Sequence, residues 1–176
     1  MSPSLNSSFN YSVPVVGINP GSSYGEAKRW YPEEYAEVCA KLSLQYNIVI
    51  FGGPGEEDIA VDIEKSLIEK GILNYQNLSG KTSISELVNQ ISNLDLFITG
   101  DSGPMHIAAS FQVPTVALFG PTRDDETSQW MNPKSIIVKK NLDCQPCMKR
   151  ACPLKHHDCM NLIKAADVLK AVQSLN

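Results

Sequence analysis

Hydrophobic residues in this chain fall into short runs, separated by longer stretches in which apolar positions recur every three or four residues. The runs predict strands at residues 15–19, 48–51, 75–78, 94–98, 114–119 and 136–138. The stretches between them predict helices over residues 32–46, 56–70, 83–92, 103–110 and 161–175. Strands that are apolar on both faces and alternate with helices indicate an α/β fold with a mostly parallel six-stranded sheet covered on two sides.

Two of these helices have apolar faces whose members we expect to point into the core. The first face is formed by Tyr35, Val38, Cys39, Leu42 and Tyr46, and the second by Ile59, Ile63, Leu67 and Ile68. Pro32 suits the first turn of the first helix.

Length and composition indicate one domain with a short leading segment. Residues 1–13 are rich in Ser, Asn and Pro and are predicted to be a linker or a disordered arm, which leaves 14–176 as the folded domain. The chain has 176 residues and a net charge of -4, which argues against a nucleic-acid partner. No apolar run approaches the roughly 20 residues that span a bilayer, and no signal-peptide pattern is present, so we expect a soluble, cytoplasmic protein.

Glycine-bearing loops follow three of the predicted strands, at Gly21, Gly52 and Gly100. Ligands of open parallel sheets lie across the carboxyl ends of the strands, so we expect these loops to meet at one site. Behind Gly100, a polar turn leads into a helix of small residues that Asp101 or Ser102 can cap. Such a turn is either an ordinary capped corner or a phosphate site at a helix N-terminus.

The loop after the first strand favours the phosphate interpretation. Ser22 and Ser23 offer hydroxyl groups, Gly21 and Gly25 allow close approach to the backbone, and Lys28 is a flexible charge that can reach a phosphate. A lone lysine in a loop is usually only solvated, but this one is expected beside the Asp101 turn.

Together these stretches resemble a known family. Residues 20–30, Pro-Gly-Ser-Ser-Tyr-Gly-Glu-Ala-Lys-Arg-Trp, with residues 101–106, Asp-Ser-Gly-Pro-Met-His, resemble the ADP-heptose:lipopolysaccharide heptosyltransferases. Within that family, residues 21–30 are more similar to the heptosyltransferase II branch, and residues 114–122 fit as well. The resemblance implies an inverting glycosyltransferase of GT-B architecture, with two Rossmann-like domains, of which this chain is the second, nucleotide-sugar-binding one.

The resemblance also implies roles for individual residues. Positions matching Ser22, Ser23 and Lys28 hold the diphosphate, and Lys28 stabilises the leaving group. The position of Asp101 contacts the sugar, while an acidic residue at Glu56 or Glu57 is expected at the ribose. The remaining donor-binding positions are Thr82, near the adenine, and Ser102, Gly103 and His106, at the diphosphate.

The general base of the family is an aspartate of the amino-terminal domain, so the resemblance implies no catalytic base in this chain. We therefore expect the chain to be a piece of a longer enzyme, or one half of a split one. That enzyme would move heptose from ADP-heptose to the inner core of lipopolysaccharide or lipooligosaccharide, with the acceptor held through the missing domain. The resemblance implies metal-independent transfer, and Asp124-Asp125 lacks an Asp-x-Asp spacing.

Four cysteines cluster in the loop 141–160: Cys144, Cys147, Cys152 and Cys159. In an intracellular chain such a cluster favours a structural zinc over disulfides, although the spacing lacks two Cys-x2-Cys pairs. Reduced packing thiols and disulfides stay open as alternatives. Cys39 is expected in the core. The same loop is basic, through Lys149, Arg150, Lys155 and two histidines; it is either a solvated surface or contacts an anionic acceptor or an anionic membrane surface.

Two other protein classes fit parts of the sequence. One is a non-catalytic nucleotide-binding or receiver-like α/β module with Asp101 as phosphoacceptor, for which the first strand lacks the companion acidic pair. The other is a zinc-dependent nucleic-acid module built on the cysteine loop, which the net charge of -4 disfavours.

Overall fold

A computed structural model describes residues 12–175 and contains one six-stranded sheet. Its strands are β1 (Val15–Asn19), β2 (Asn47–Ile50), β3 (Tyr75–Asn77), β4 (Leu96–Gly100), β5 (Thr115–Phe119) and β6 (Ser135–Lys139). The order is β3-β2-β1-β4-β5-β6, and every pairing is parallel. The sheet confirms the predicted α/β class. Of the predicted arm, residues 1–11 lie outside the described residues.

Strand β1 occupies the middle of the sheet, where the order of the strands reverses. Ile18 is in register with Ile50 of β2 on one side and with Ile98 of β4 on the other. This reversal is the topological switch point at which open α/β sheets bind ligands. A receiver-like module would instead have the order 2-1-3-4-5, so the sheet order removes that alternative.

Helices cover both faces of the sheet and complete the three layers. They are α1 (Pro32–Leu42), α2 (Glu57–Glu69), α3 (Ile84–Ser92), α4 (Gly103–Ser110), α5 (Asp124–Thr127), α6 (Asp158–Asn161) and α7 (Ala165–Ser174). The larger core cluster joins α1, α2 and α7 to one face, and a second cluster joins α3 and α4 to the other. Within residues 12–175, none of these helices has both the length and the apolar character required to cross a bilayer.

Several element boundaries differ from the predictions. Ile68, which was expected in the core face of α2, is 56% exposed because the helix turns it away from the sheet. Tyr46 lies after the end of α1 rather than on it. The last predicted helix, 161–175, corresponds to α7, which begins only at Ala165; the separate short helix α6, which ends at Asn161, was not predicted. The short α5 was not predicted, since four residues give no periodic signal.

Trp30 anchors the loop that follows β1. Its ring is 1% exposed and packs edge-on against Tyr35 of α1 with 4.8 Å between ring centroids. The indole Nε1 donates a hydrogen bond of 2.9 Å to the carbonyl oxygen of Ile163, between α6 and α7. A buried aromatic with its polar atom satisfied fixes a backbone position well. The loop 20–30 is therefore held at its far end by the core and by the carboxyl-terminal helices.

Candidate functional site

An ion pair joins the loop after β1 to the turn after β4. Lys28 Nζ lies 2.7 Å from Oδ2 of Asp101 and 3.2 Å from the Asp101 carbonyl oxygen. The two side chains are 12% and 7% exposed, so the pair is largely removed from water. Because β1 and β4 are neighbours, their carboxyl ends bring these two sequence-predicted residues together, 73 positions apart in the chain.

A short 3-10 helix, Glu26–Lys28, aims the lysine at that turn. Two backbone hydrogen bonds form this helix: Lys28 N donates to Gly25 O at 3.3 Å, and Arg29 N donates to Glu26 O at 2.9 Å. Gly25 has a φ of 154°, a conformation that side chains resist, and it allows the tight entry. The sequence placed Lys28 in a plain loop, since three residues are too few to show a helical period.

The N-terminus of α4 carries no side-chain cap, so the predicted capping by Asp101 or Ser102 is wrong. Ser102 occupies the N-cap position, but its hydroxyl lies 3.0 Å from the Thr99 hydroxyl and makes no capping bond. The Asp101 carboxylate is engaged by Lys28 instead. Gly103 and His106 are exposed at this end of the helix, as an anion site at a helix N-terminus requires.

The loop after β2 contacts the loop after β1 through Glu56. The Glu56 carboxylate accepts a 2.9 Å hydrogen bond from Gly53 N, and it lies so close to Gly21 that any side chain at position 21 would collide with it. Ser22 is buried and Ser23 is exposed on the same loop. The expected meeting of the three glycine-bearing loops at one edge of the sheet is therefore confirmed.

Glu57 and Thr82 continue this edge toward the outer strand β3. The Glu57 carboxylate accepts a 2.8 Å hydrogen bond from Gly55 N and lies against Gly80, whose φ is 68°. Thr82 follows two residues later, just before the capping box that Ser83 and Glu86 form at the start of α3. An acidic side chain and the position expected near the adenine thus lie on adjoining loops, at the distal end of the edge from Asp101.

The four clustered cysteines face one small pocket beside Ala27. Burial, followed by the proximity of the other three thiols, raises the pKa of Cys159 to about 11. All four are free thiols, and across residues 12–175 no three His, Cys, Asp or Glu side chains are arranged to hold a metal ion. Cys39 lies in the core as expected, and its burial raises the pKa of the thiol to about 12.

The segment 144–159, here called the cysteine segment, packs directly on the loop 20–30. Ala27 N donates to the Arg150 carbonyl oxygen at 3.0 Å, and a ring nitrogen of His157 lies 2.8 Å from the Ala27 carbonyl oxygen. The Tyr24 hydroxyl donates to the Met148 carbonyl oxygen at 2.8 Å. The sequence carried no signal for these contacts, because they join positions more than 120 residues apart.

A separate cavity of about 640 Å³ opens between the loops after β5 and β6. Its cations are already paired: Lys139 with Asp124, Lys140 with Asp167, and Arg123 with Asp125. The cavity thus offers no unpaired charge to a ligand, whereas the Lys28–Asp101 edge collects the residues that the sequence singled out.

The parallel sheet with a reversal at β1, and loops of glycine, serine and one lysine at its carboxyl edge, define a Rossmann-like domain of the kind found in GT-B glycosyltransferases. The family model for glycosyltransferase family 9 (heptosyltransferase) matches residues 3–157, and the chain belongs to that family.

Relatives and solved structures agree with this assignment. The chain is 44% identical over 162 residues to lipooligosaccharide heptosyltransferase 2 of Campylobacter jejuni subsp. jejuni, covering 92% of this chain and 50% of the relative. It is 38% identical to the Haemophilus influenzae protein of the same name, covering 70% and 36%. The structure of E. coli ADP-heptose lps heptosyltransferase II superposes with a TM-score of 0.81 at 28% identity, covering 94% and 47%. The chain thus spans about half the length of the C. jejuni relative.

Removal of either partner of the Lys28–Asp101 pair is expected to destabilise the fold. Lys28→Ala or Asp101→Ala leaves a buried charge without its partner, which costs about 3 kcal/mol of unfolding free energy, while the double variant loses less than the two singles together. Urea unfolding of the three variants measures this coupling.

The exposed pair Lys65–Asp62 provides the control for this cycle, with side chains 67% and 58% exposed. Its cycle should give a coupling below about 0.5 kcal/mol. Equal coupling in the two cycles would contradict the view that burial makes the Lys28–Asp101 pair strong.

Proposed function

We propose that this chain is the donor-binding half of an inverting heptosyltransferase, which moves heptose from ADP-heptose to the inner core of lipopolysaccharide or lipooligosaccharide. The observation that carries the proposal is the Lys28–Asp101 ion pair at the uncapped N-terminus of α4. A cation and a helix N-terminus together form a site for a diphosphate. The chain belongs to a family of heptosyltransferases, so heptose is the sugar that we propose.

The donor is proposed to lie along the carboxyl edge of the sheet. Its diphosphate would sit over the N-terminus of α4, against Lys28 and the hydroxyls of Ser22 and Ser23. Ser102, Gly103 and His106 would line the same end of the site. The ribose would lie at Glu56 or Glu57 and the adenine near Thr82, because these loops continue the edge toward β3.

The central step that we assign to these residues is a change in the binding partner of Lys28, from the Asp101 carboxylate to the diphosphate. Without donor, the Asp101 carboxylate neutralises the Lys28 ammonium. A bound diphosphate competes for that ammonium, which releases the carboxylate to accept hydrogen bonds from sugar hydroxyls. The two residues would thereby serve neighbouring parts of one ligand.

Transfer by inversion needs an acceptor hydroxyl that attacks the anomeric carbon on the face opposite the departing ADP. Negative charge then develops on the diphosphate, where Lys28 and the α4 amides are placed to stabilise it. This supports transfer that requires no metal or other cofactor. The base that accepts the hydroxyl proton and the rest of the acceptor site are assigned to the other half of the enzyme. Contact of the basic loop with an anionic membrane surface stays a prediction.

The chain alone is expected to bind ADP weakly and to transfer no heptose, because it supplies the donor loops but not the proposed base. Isothermal titration calorimetry with ADP measures binding, and incubation with ADP-heptose and a lipid acceptor measures transfer. Absence of heat up to millimolar ADP would remove the binding proposal, and measurable transfer would remove the need for a second half.

In the complete enzyme, Lys28→Ala is expected to slow turnover more than it weakens donor binding. The charge matters most while the leaving group departs, and loss of one such electrostatic contact costs on the order of 10²-fold in kcat. Steady-state kinetics test this, with the exposed Lys134→Ala as control at the opposite edge of the sheet. A raised KM for the donor with unchanged kcat would indicate uniform binding instead.

We further propose that the cysteine segment binds a structural zinc, whose role would be to fasten the segment rather than to take part in transfer. Support comes from the four thiols, which face one small pocket. As the side chains stand, they do not form a metal-binding arrangement, so zinc would have to draw them together. Four thiolates would fill a tetrahedral site and leave no position for substrate.

Protein purified without added metal or chelator is expected to contain about one zinc per chain, as one four-thiolate site requires. Elemental analysis tests this; Cys147→Ser should lose the metal, and Cys39→Ala should keep it. If the protein is free of metal and its thiols react on denaturation, these residues are ordinary reduced cysteines. If the thiols are recovered only after reduction, the residues form disulfides.

A further inference from the structure

The cysteine segment brings a second cation to the proposed diphosphate site. Lys28 Nζ lies 4.5 Å from the centroid of the Tyr24 ring, and the Arg150 guanidinium carbon lies 5.4 Å from the same centroid. The two positive groups are therefore within about 10 Å of each other. Both belong to loops at the carboxyl edge of the sheet, although they are far apart in sequence.

The two cations differ in how their charge is balanced. Lys28 is paired with the buried carboxylate of Asp101. None of the ion pairs among residues 12–175 involves Arg150, which is exposed. Two positive groups thus lie near each other, and only Lys28 has a carboxylate partner. A bound anion would stabilise such an arrangement.

Arg150 is also tethered to the loop that carries Lys28. Its carbonyl oxygen accepts the hydrogen bond from Ala27 N, and Ala27 is the residue before Lys28. Gly25 lies against the Arg150 backbone and leaves no room there for a side chain. The guanidinium lies over the Tyr24 ring, whose hydroxyl donates a hydrogen bond to Met148 O. These contacts fix Arg150 relative to the loop and leave its guanidinium accessible.

We propose that Arg150 is a further donor-binding residue, which contacts the diphosphate together with Lys28. The inference rests on the proposed donor function. A guanidinium offers paired donors that match phosphate oxygens, and a diphosphate presents oxygens on two neighbouring phosphorus atoms. Lys28 contacts one part of this group and Arg150 another, so the negative charge is held between the loop after β1 and the cysteine segment.

Calorimetry with ADP, AMP and inorganic pyrophosphate tests the assignment on the chain itself. Arg150→Ala is expected to weaken ADP and pyrophosphate binding about 10- to 100-fold, as loss of a charge-assisted hydrogen bond would do. AMP, which lacks the second phosphate, should lose less. Arg150→Lys should recover part of the affinity, because it restores the charge but not the paired donors.

Lys149→Ala is the matched control, since it removes an exposed neighbouring cation from the same segment and should leave all three affinities unchanged. Thermal unfolding of each variant separates a loosened segment from a lost contact. Equal weakening of ADP and AMP by Arg150→Ala, or unchanged pyrophosphate binding, would overturn the assignment of Arg150 alone. Wild-type protein that binds neither ADP nor pyrophosphate would overturn the donor proposal and this inference with it.

Discussion

All six strands point the same way, and the positions of the other functional features follow from that constraint. Parallel strands need crossover helices, so both faces of the sheet are covered and only the edges are left for a ligand. Because β1 lies in the middle, the loops after β1, β2 and β4 are adjacent at the carboxyl edge. Glu56 against Gly21, and Lys28 against Asp101, are the contacts that result.

At the carboxyl edge of the sheet, the arrangement of charged groups depends on one buried ion pair, Lys28–Asp101, rather than on a network of ion pairs. The Asp101 carboxylate is occupied by Lys28, so it does not cap α4, and the hydroxyl of Ser102 turns to Thr99. The helix N-terminus is left without a side-chain partner as a consequence. A charged lysine, an uncapped helix and an exposed His106 therefore lie together on one surface, an arrangement suited to an anion.

The sequence predicted the features that depend on local periodicity. Strand β1 was predicted to the residue, and Cys39 was correctly assigned to the core. The capping prediction failed because Lys28, 73 positions away in the chain, engages the Asp101 carboxylate, and because the Ser102 hydroxyl contacts the Thr99 hydroxyl instead. The packing of the cysteine segment on Tyr24 and Ala27 could not be predicted, since tertiary contacts across more than 120 residues leave no periodic trace.

The thiols of this domain differ enough in environment to report on the site selectively. Cys39 is buried with a thiol pKa of about 12, so thiolate-directed reagents would react with it slowly. Cys144, Cys147 and Cys152 are partly exposed and belong to the segment that contacts the loop of Lys28. A fluorophore attached to one of them in metal-free protein would lie beside the loop that carries Lys28, without an engineered cysteine. A label on the native cysteine segment would thus report spectroscopically on the loop that this segment contacts.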